Sequence, residues 1–213
     1  MIEIETLKVC GFGPAITGMR NPLDSWSKSD TVNADTVNAD TDSAIQIGGA
    51  DRDLSIRLQK AGPEHCKHLR MVTVYADIVA PLYWYKEADT YRAGVEKVSC
   101  STMHTITKKP FDITMFSHEH LTVRATNSLQ MTIDTLNDYR TSYLNADSAE
   151  DKKLFWWQLI QLLPTSFNQR RTYMFSYAAL RNIYRQREGH KLDEWHRFRD
   201  WCESLPEAWM ITE

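Results

Sequence analysis

At 213 residues, the chain is long enough to bury a sizeable core. Its formal net charge of −3 excludes a general binder of nucleic-acid polymers, which needs a basic face, and no apolar run approaches the length of a membrane span. Seven Trp and nine Tyr are many for this length, and aromatics build flat-walled pockets as readily as cores.

In chain order, the alternation of residues 2–9 (IEIETLKV) predicts a strand, broken by GFGP. The stretch Gly18–Asp30 is rich in turn formers yet holds Met19, Arg20 and Trp26. It reads either as a loop pinned to the core or as a lid with Arg20 pointing at a ligand anion. Residues 31–40 then repeat a five-residue unit, TVNADTVNAD. Two copies cannot build a solenoid, so residues 18–48 read as a loop or insertion carrying a duplication. The next helix spans 51–61, with Asp51 or Asp53 as N-cap and Gly62-Pro63 as its stop, and a short helix follows at 64–69. The β-branched, alternating run 71–79 (MVTVYADIV) predicts a strand ending near Pro81, and Leu82–Tyr91 opens a helix. Residues 111–124 fit no single period. Helices follow over 127–144, after the Ser148-x-x-Asp151 capping box up to Pro164, over 168–188 and over 192–205. The prediction is an α+β fold in one domain spanning 1–213, with a small mostly antiparallel sheet packed with a helical C-terminal half.

Four cysteines (Cys10, Cys66, Cys100 and Cys202) form no C-x-x-C pair. The opening MIEIETLKVCGFGP has no basic region leading into an apolar stretch. These features predict a cytoplasmic protein with reduced thiols. His65, Cys66, His68, His118 and His120 match no known zinc spacing, so no metal is assigned. Neither a P-loop nor G-x-G-x-x-G is present. The Ser99-Cys100-Ser101 turn, with His104 nearby, has backbone amides suited to an anion nest. The stretch from Asn168 to Glu188 mixes Arg170, Arg181, Asn182, Arg185 and Arg187 with apolar positions, and a mid-helix Asn needs a reason.

Taken together, two stretches resemble one family, the flavin-dependent thymidylate synthases. Those enzymes carry a strand ending in Ala-Pro, a segment rich in Arg and Gln, and Arg-His-Arg-x-x-Ser-x-Asn-Glu-x-Ser-x-Arg-Tyr. APLYWYKEADTYR fits that frame without a gap from Ala80 to Arg92, which falls on the last arginine of Arg-His-Arg. One inserted residue later, Ser101 falls on the second serine. The second signature begins at Leu163-Pro164 and runs without a gap to Arg187, placing Asn182 on a family asparagine. His190 and Glu194 fall on the closing His and Glu once one residue is deleted, and the resemblance covers about residues 50–200.

The departures are as telling. Thr90 and Tyr91 stand where the first Arg and His belong, Glu87 replaces a nucleotide-facing glutamine, and Met103-His104 replace Arg-Tyr. Ile160 takes the place of a phosphate-side arginine, and Ser176 replaces a flavin-side asparagine. With a charge-assisted contact contributing about 1.5–3 kcal/mol, two lost arginines weaken dUMP binding by about a hundredfold or more.

The resemblance implies FAD as cofactor, with NADPH and methylenetetrahydrofolate as co-substrates, and a homotetramer with sites between subunits. It implies Arg92, Asn182 and Ser176 on the flavin side and Ser101 at the reacting pyrimidine. Arg187, Glu87, Ser99, Cys100, His104 and Arg20 would then meet the nucleotide. Two further readings stay open. One is a binding protein that keeps the pocket without the redox chemistry, such as a viral protein trapping a signalling nucleotide. The other is an interaction protein whose polar residues are merely solvated.

Overall fold

The computed structural model describes residues 1–33 and 45–213. Its elements in order are β1 (Glu3–Cys10), α1 (Phe12–Arg20), β2 (Val32–Asn33), β3 (Ile45–Gln46), α2 (Gly49–Ala61), β4 (Thr73–Pro81), α3 (Leu82–Ala88) and β5 (Val95–Ser99). These are followed by α4 (Thr102–Thr105), α5 (Val123–Asn145), α6 (Ala149–Leu162), β6 (Asn168–Ser176), α7 (Tyr177–Gln186), α8 (Asp193–Ser204) and α9 (Trp209–Thr212). A small antiparallel sheet has the order β1-β4-β6-β5, so the α+β expectation holds. The chain divides into two compact units. The first comprises Met1–Glu3, Val79–Thr90 and Ser99–Arg171, and the second Ile4–Ile78, Tyr91–Val98 and Thr172–Glu213.

The first unit is built on the long hairpin of α5 and α6. Leu129, Ile133 and Leu136 recur at helical spacing on α5 and join Leu159 of α6 in a buried cluster with Ile106, Phe111 and Phe116. Phe111, Phe116 and Phe167 pack edge to face or tilted, with centroids 5.6–6.4 Å apart. Ser148 caps α6 as expected, Asp151 N–H donating to its Oγ at 2.9 Å, but the Asp151 carboxylate accepts from the Ser148 hydroxyl at 2.8 Å instead of from the Ser148 N–H that a full capping box would use. In α3, Tyr85 is fully buried, donates to the Gln169 carbonyl at 2.9 Å, and carries the Arg171 guanidinium 3.7 Å from its ring centroid.

The second unit corrects three expectations. First, residues 168–188 are not one helix: Asn168–Ser176 is strand and only Tyr177–Gln186 is helical. Tyr173 and Tyr177 satisfy helical spacing by coincidence, whereas Tyr173 and Phe175 obey the two-residue period of a strand and stack at 4.9 Å. Second, GFGP does not merely end β1. Pro14 lies in the first turn of α1, where its missing N–H forfeits nothing, and the helix runs to Arg20. Third, neither Asp51 nor Asp53 caps α2. Gly48 is the N-cap, and Asp30 supplies the acceptors, taking Ala50 N–H at 2.8 Å and Asp51 N–H at 3.1 Å.

Asp51 is itself fully buried. Its carboxylate accepts from Arg20 Nε at 2.5 Å, Ser29 Oγ at 2.6 Å, Thr31 Oγ1 at 2.7 Å, Thr31 N–H at 3.1 Å and Asp30 N–H at 3.2 Å. One carboxylate thus organises the turn-rich 25–31 stretch. β2 pairs antiparallel with β3 through Val32–Gln46 and Asn33–Ile45. Most of the TVNAD duplication lies outside the described residues.

Candidate functional site

The end of β6 and the start of α7 shape one wall of a cavity in the second unit. Ser176 closes the strand and caps the helix: Ala179 N–H donates to its hydroxyl at 3.2 Å, while its own N–H donates to the Gly94 carbonyl at 2.8 Å. Gly94 has φ +71°, and a Cβ there would come 2.4 Å from Ser176 Oγ, so only glycine allows the two backbones to approach this closely. Beyond this junction opens a cavity of about 590 Å³. Its lining includes Arg70, Thr73, Gly94, Ser176, Asn182 and the pair Arg181 and Arg185.

The electrostatics are one-sided. Arg70 has no carboxylate partner among the described residues, whereas Arg181 Nε and Arg185 Nη2 donate to the main-chain oxygen of Glu213, the last residue, at 3.3 and 2.5 Å. Burial pulls the Arg181 pKa below its ordinary value, and the neighbouring Arg185 charge pulls the same way. Burial pushes the thiol of Cys66, on the same wall, upward, although Arg181, Arg185 and Arg70 each favour its thiolate. A guanidinium keeps its charge under such pressure, so the cavity presents fixed positive charge beside the Asn182 amide. An anion with hydroxyl or amide groups suits that donor set.

Of the sequence-predicted site residues, Ser176 and Asn182 line this cavity, and Arg92 belongs to the turn that leads to it. Arg92 is exposed, and its carbonyl receives Val95 N–H at 3.3 Å. Arg187 ends α7, half-buried, its guanidinium carbon 4.5 Å from the Trp195 ring centroid and 5.2 Å from that of Tyr91. Tyr91, which stands where the family has a histidine, is therefore part of an aromatic mount for Arg187. Arg20 is 4% exposed and faces the Asp51 carboxylate, a protein group where a ligand anion was expected.

Glu87, Ser99, Cys100, Ser101 and His104 are outside the cavity lining. Glu87 lies on α3; Ser99, Cys100, Ser101 and His104 are at or near α4, whose N-cap is Ser101. The Cys100 N–H donates to the Arg170 carbonyl at 2.9 Å, so three consecutive free amides for a nest are not present there. The guanidiniums of Arg181 and Arg185 were visible in sequence only as charges on a helix. Their i,i+4 spacing, which puts them on one face with Asn182 beside them, is the signal that finds them.

No protein-family model matches the chain, and no curated protein matches its sequence. Solved structures do. Thymidylate synthase X (ThyX) from Helicobacter pylori, in a crystal structure with FAD and dUMP, aligns over 100% of this chain and 98% of its own with a TM-score of 0.70 at 15% identity. The fold is that of a flavin-dependent thymidylate synthase. A second structure of ThyX from the same organism, complexed with FAD and dUMP, gives 0.69 at 16% identity over 99% of this chain and 98% of that one. The UMP/dUMP methylase PolB from Streptomyces cacaoi, bound with 5-Br UMP, shares the architecture more loosely, at 0.51 and 11% identity over 86% of this chain and 76% of its own. The thymidylate synthase fold is thus present at an identity too low for sequence comparison to detect.

Proposed function

We propose that the chain binds a nucleotide in the Ser176–Asn182 cavity and carries out flavin-dependent methyl transfer to dUMP or a related pyrimidine nucleotide. The observation that carries this reading is the grouping of Arg70, Arg181 and Arg185 around Asn182 and the Ser176 cap. The cavity volume is ordinary for a ligand site, and its donor set fits a diphosphate and polyol, so FAD fits the chemistry of the residues present. Ser176, Asn182 and Arg92 would hold the flavin side, with the three arginines on phosphate. Bound flavin would supply the redox and one-carbon chemistry, drawing on NADPH and methylenetetrahydrofolate. Ser101, Arg187, Glu87, Ser99, Cys100 and His104 belong to the pyrimidine side of this reading, within a homotetramer. The solved neighbours that hold FAD with dUMP, or 5-Br UMP, support the ligand class.

The test is the absorbance spectrum of the purified protein after incubation with FAD and desalting. A retained flavin band that Arg185→Ala abolishes supports the enzyme. No band after reconstitution sinks it and favours a second reading, a nucleotide binder without redox chemistry. One feature speaks for that second reading: Ile160, at the place of a phosphate-side arginine, packs against the apolar core of the first unit. Mass analysis of nucleotide released by heat would then identify the ligand.

A further inference from the structure

The wall of the Ser176–Asn182 cavity that carries Arg70 is tied to α2 by a polar pair buried in an apolar junction. The turn Lys67–Arg70 packs against α1 and α7, with Leu69 buried. His68 is buried in the same turn, where an apolar side chain would leave no polar group to satisfy. Its Nε2 lies 2.7 Å from Oγ of Ser55, which is fully buried on α2. Gln59, one helical turn further on, donates from Nε2 to the same Oγ at 3.2 Å, which leaves the Ser55 hydroxyl hydrogen for His68 Nε2. Burial brings the His68 pKa down to about 4, so the imidazole is neutral at ordinary pH and its Nε2 can accept that hydrogen. Apolar packing is non-directional, whereas a hydrogen bond fixes an angle as well as a distance, so this pair sets how the turn is rotated on α2. The Cys66 thiol, donating to the Gly62 carbonyl at 3.2 Å, ties the start of the turn to the end of α2. Leu69 N–H donates to the Cys66 carbonyl and Met71 N–H to the His68 carbonyl, each at 3.0 Å, so the turn moves as one piece. Arg70 stands two residues past His68 and lines the cavity, with no carboxylate partner among the described residues.

We propose, on the reading of this cavity as a nucleotide site, that Ser55 and His68 are positioning residues that hold Arg70 at its phosphate subsite. Neither side chain lines the cavity; both act through the backbone of the turn that carries Arg70. An arginine has a long, mobile stem, and its contact with a phosphate contributes to affinity only after the cost of ordering that stem has been met. A backbone already fixed by the Ser55–His68 bond lowers that cost, because the guanidinium then starts from one place. The Cys66 thiol, on the same wall, lies within electrostatic reach of Arg70, Arg181 and Arg185, so the held guanidinium joins the other two around one part of the cavity.

The experiment titrates the full chain at low salt with inorganic pyrophosphate, by calorimetry, and with FAD, by flavin fluorescence. Arg70→Ala is expected to weaken both by about tenfold or more, the loss of one charge-assisted contact. Ser55→Ala is expected to weaken both by about fivefold or more in the parent, and to change the affinity of Arg70→Ala by less than about twofold, because its effect passes through Arg70. His68→Leu is expected to match Ser55→Ala, whereas His68→Gln, whose amide can replace Nε2 as the partner of Ser55, is expected to restore the parent affinity to within about twofold. The proposal is overturned if Ser55→Ala binds as the parent does, if it loses as much in Arg70→Ala as in the parent, which marks a general structural effect, or if His68→Gln binds no better than His68→Leu. Pyrophosphate binding with the expected pattern but no FAD binding keeps the proposal and removes the flavin reading. FAD binding that is indifferent to Ser55→Ala removes the proposal alone, and a parent that binds neither compound removes both.

Discussion

Replacing Asp51 by Asn tests whether one buried carboxylate organises the segment ahead of α2. The substitution keeps the volume and removes the charge, and it leaves the Arg20 guanidinium buried without its counter-ion. Arg20 Nε lies 2.5 Å from Asp51 Oδ1, with the carboxylate fully buried and Arg20 nearly so. Breaking one partner of such a pair costs about 3–5 kcal/mol. For a chain of this length, each kcal/mol moves the melting temperature by about 2–4 °C, so the expected fall is about 6–20 °C. The new amide also turns its NH2 toward donors, since Ser29, Asp30 and Thr31 all donate to Oδ2. Differential scanning calorimetry of Asp51→Asn, Arg20→Met and the double variant measures the effect. The double variant should lose less than the sum of the two singles, because it removes the stranded charge. A melting temperature within about 2 °C of the parent, or strictly additive losses, would refute the reasoning. The acid limb gives a second check. Burial alone would raise the Asp51 pKa, but hydrogen bonds from Ser29 and Thr31 and the Arg20 charge outweigh it, and the net direction is below 3.8. The carboxylate therefore stabilises the fold fully above pH 3.8, and that contribution is lost as pH falls through the lower folded value. Asp51→Asn should flatten this limb.

Gly94→Ala should lower stability by about 1–2 kcal/mol from the positive φ alone, more from the clash with Ser176 Oγ, and should weaken ligand binding at the cavity; chemical denaturation and FAD titration read the two effects separately. Burial brings the His68 pKa down to about 4, with its Nε2 2.7 Å from Ser55 Oγ. The unfolded chain therefore takes up the proton first, and stability should decline by up to about 3 kcal/mol as pH falls from 6.5 toward 4, with His68→Gln giving a flatter urea-midpoint profile across that window. Ser148→Ala removes the side-chain acceptor at the start of α6 and should cost about 1 kcal/mol in chemical denaturation, with little change in any ligand titration.

What the sequence disclosed follows the strength of its local signals. β4 and α8 carry clean periods of two and 3.6, and both formed close to their expected bounds. The Ser148 cap is a local chemical device and formed as read, although the Asp151 carboxylate turned to the Ser148 hydroxyl. β6 failed because aromatic residues at four-residue spacing fit either period, and only pairing within the sheet decides between them. The cap of α2 failed for a related reason: its acceptor, Asp30, is distant in sequence and meets the helix only after folding. In the site, Asn182 and Ser176 were legible through the resemblance. Arg70 carries no local signal, and Arg181 and Arg185 read only as charges on a helix. The side-chain assignment of Arg20 needed the position of Asp51, which no period encodes.

The β2–β3 ladder also bears on the copy number of the duplicated pentapeptide. Val32–Gln46 and Asn33–Ile45 fasten the two ends of the intervening chain side by side, and Asp51 and Asp30 anchor the strand just before it. Adding a third TVNAD unit would raise the closure entropy by only about 0.3 kcal/mol, since that term grows with the logarithm of length. A variant with a third TVNAD unit is therefore expected to melt within about 2 °C of the parent.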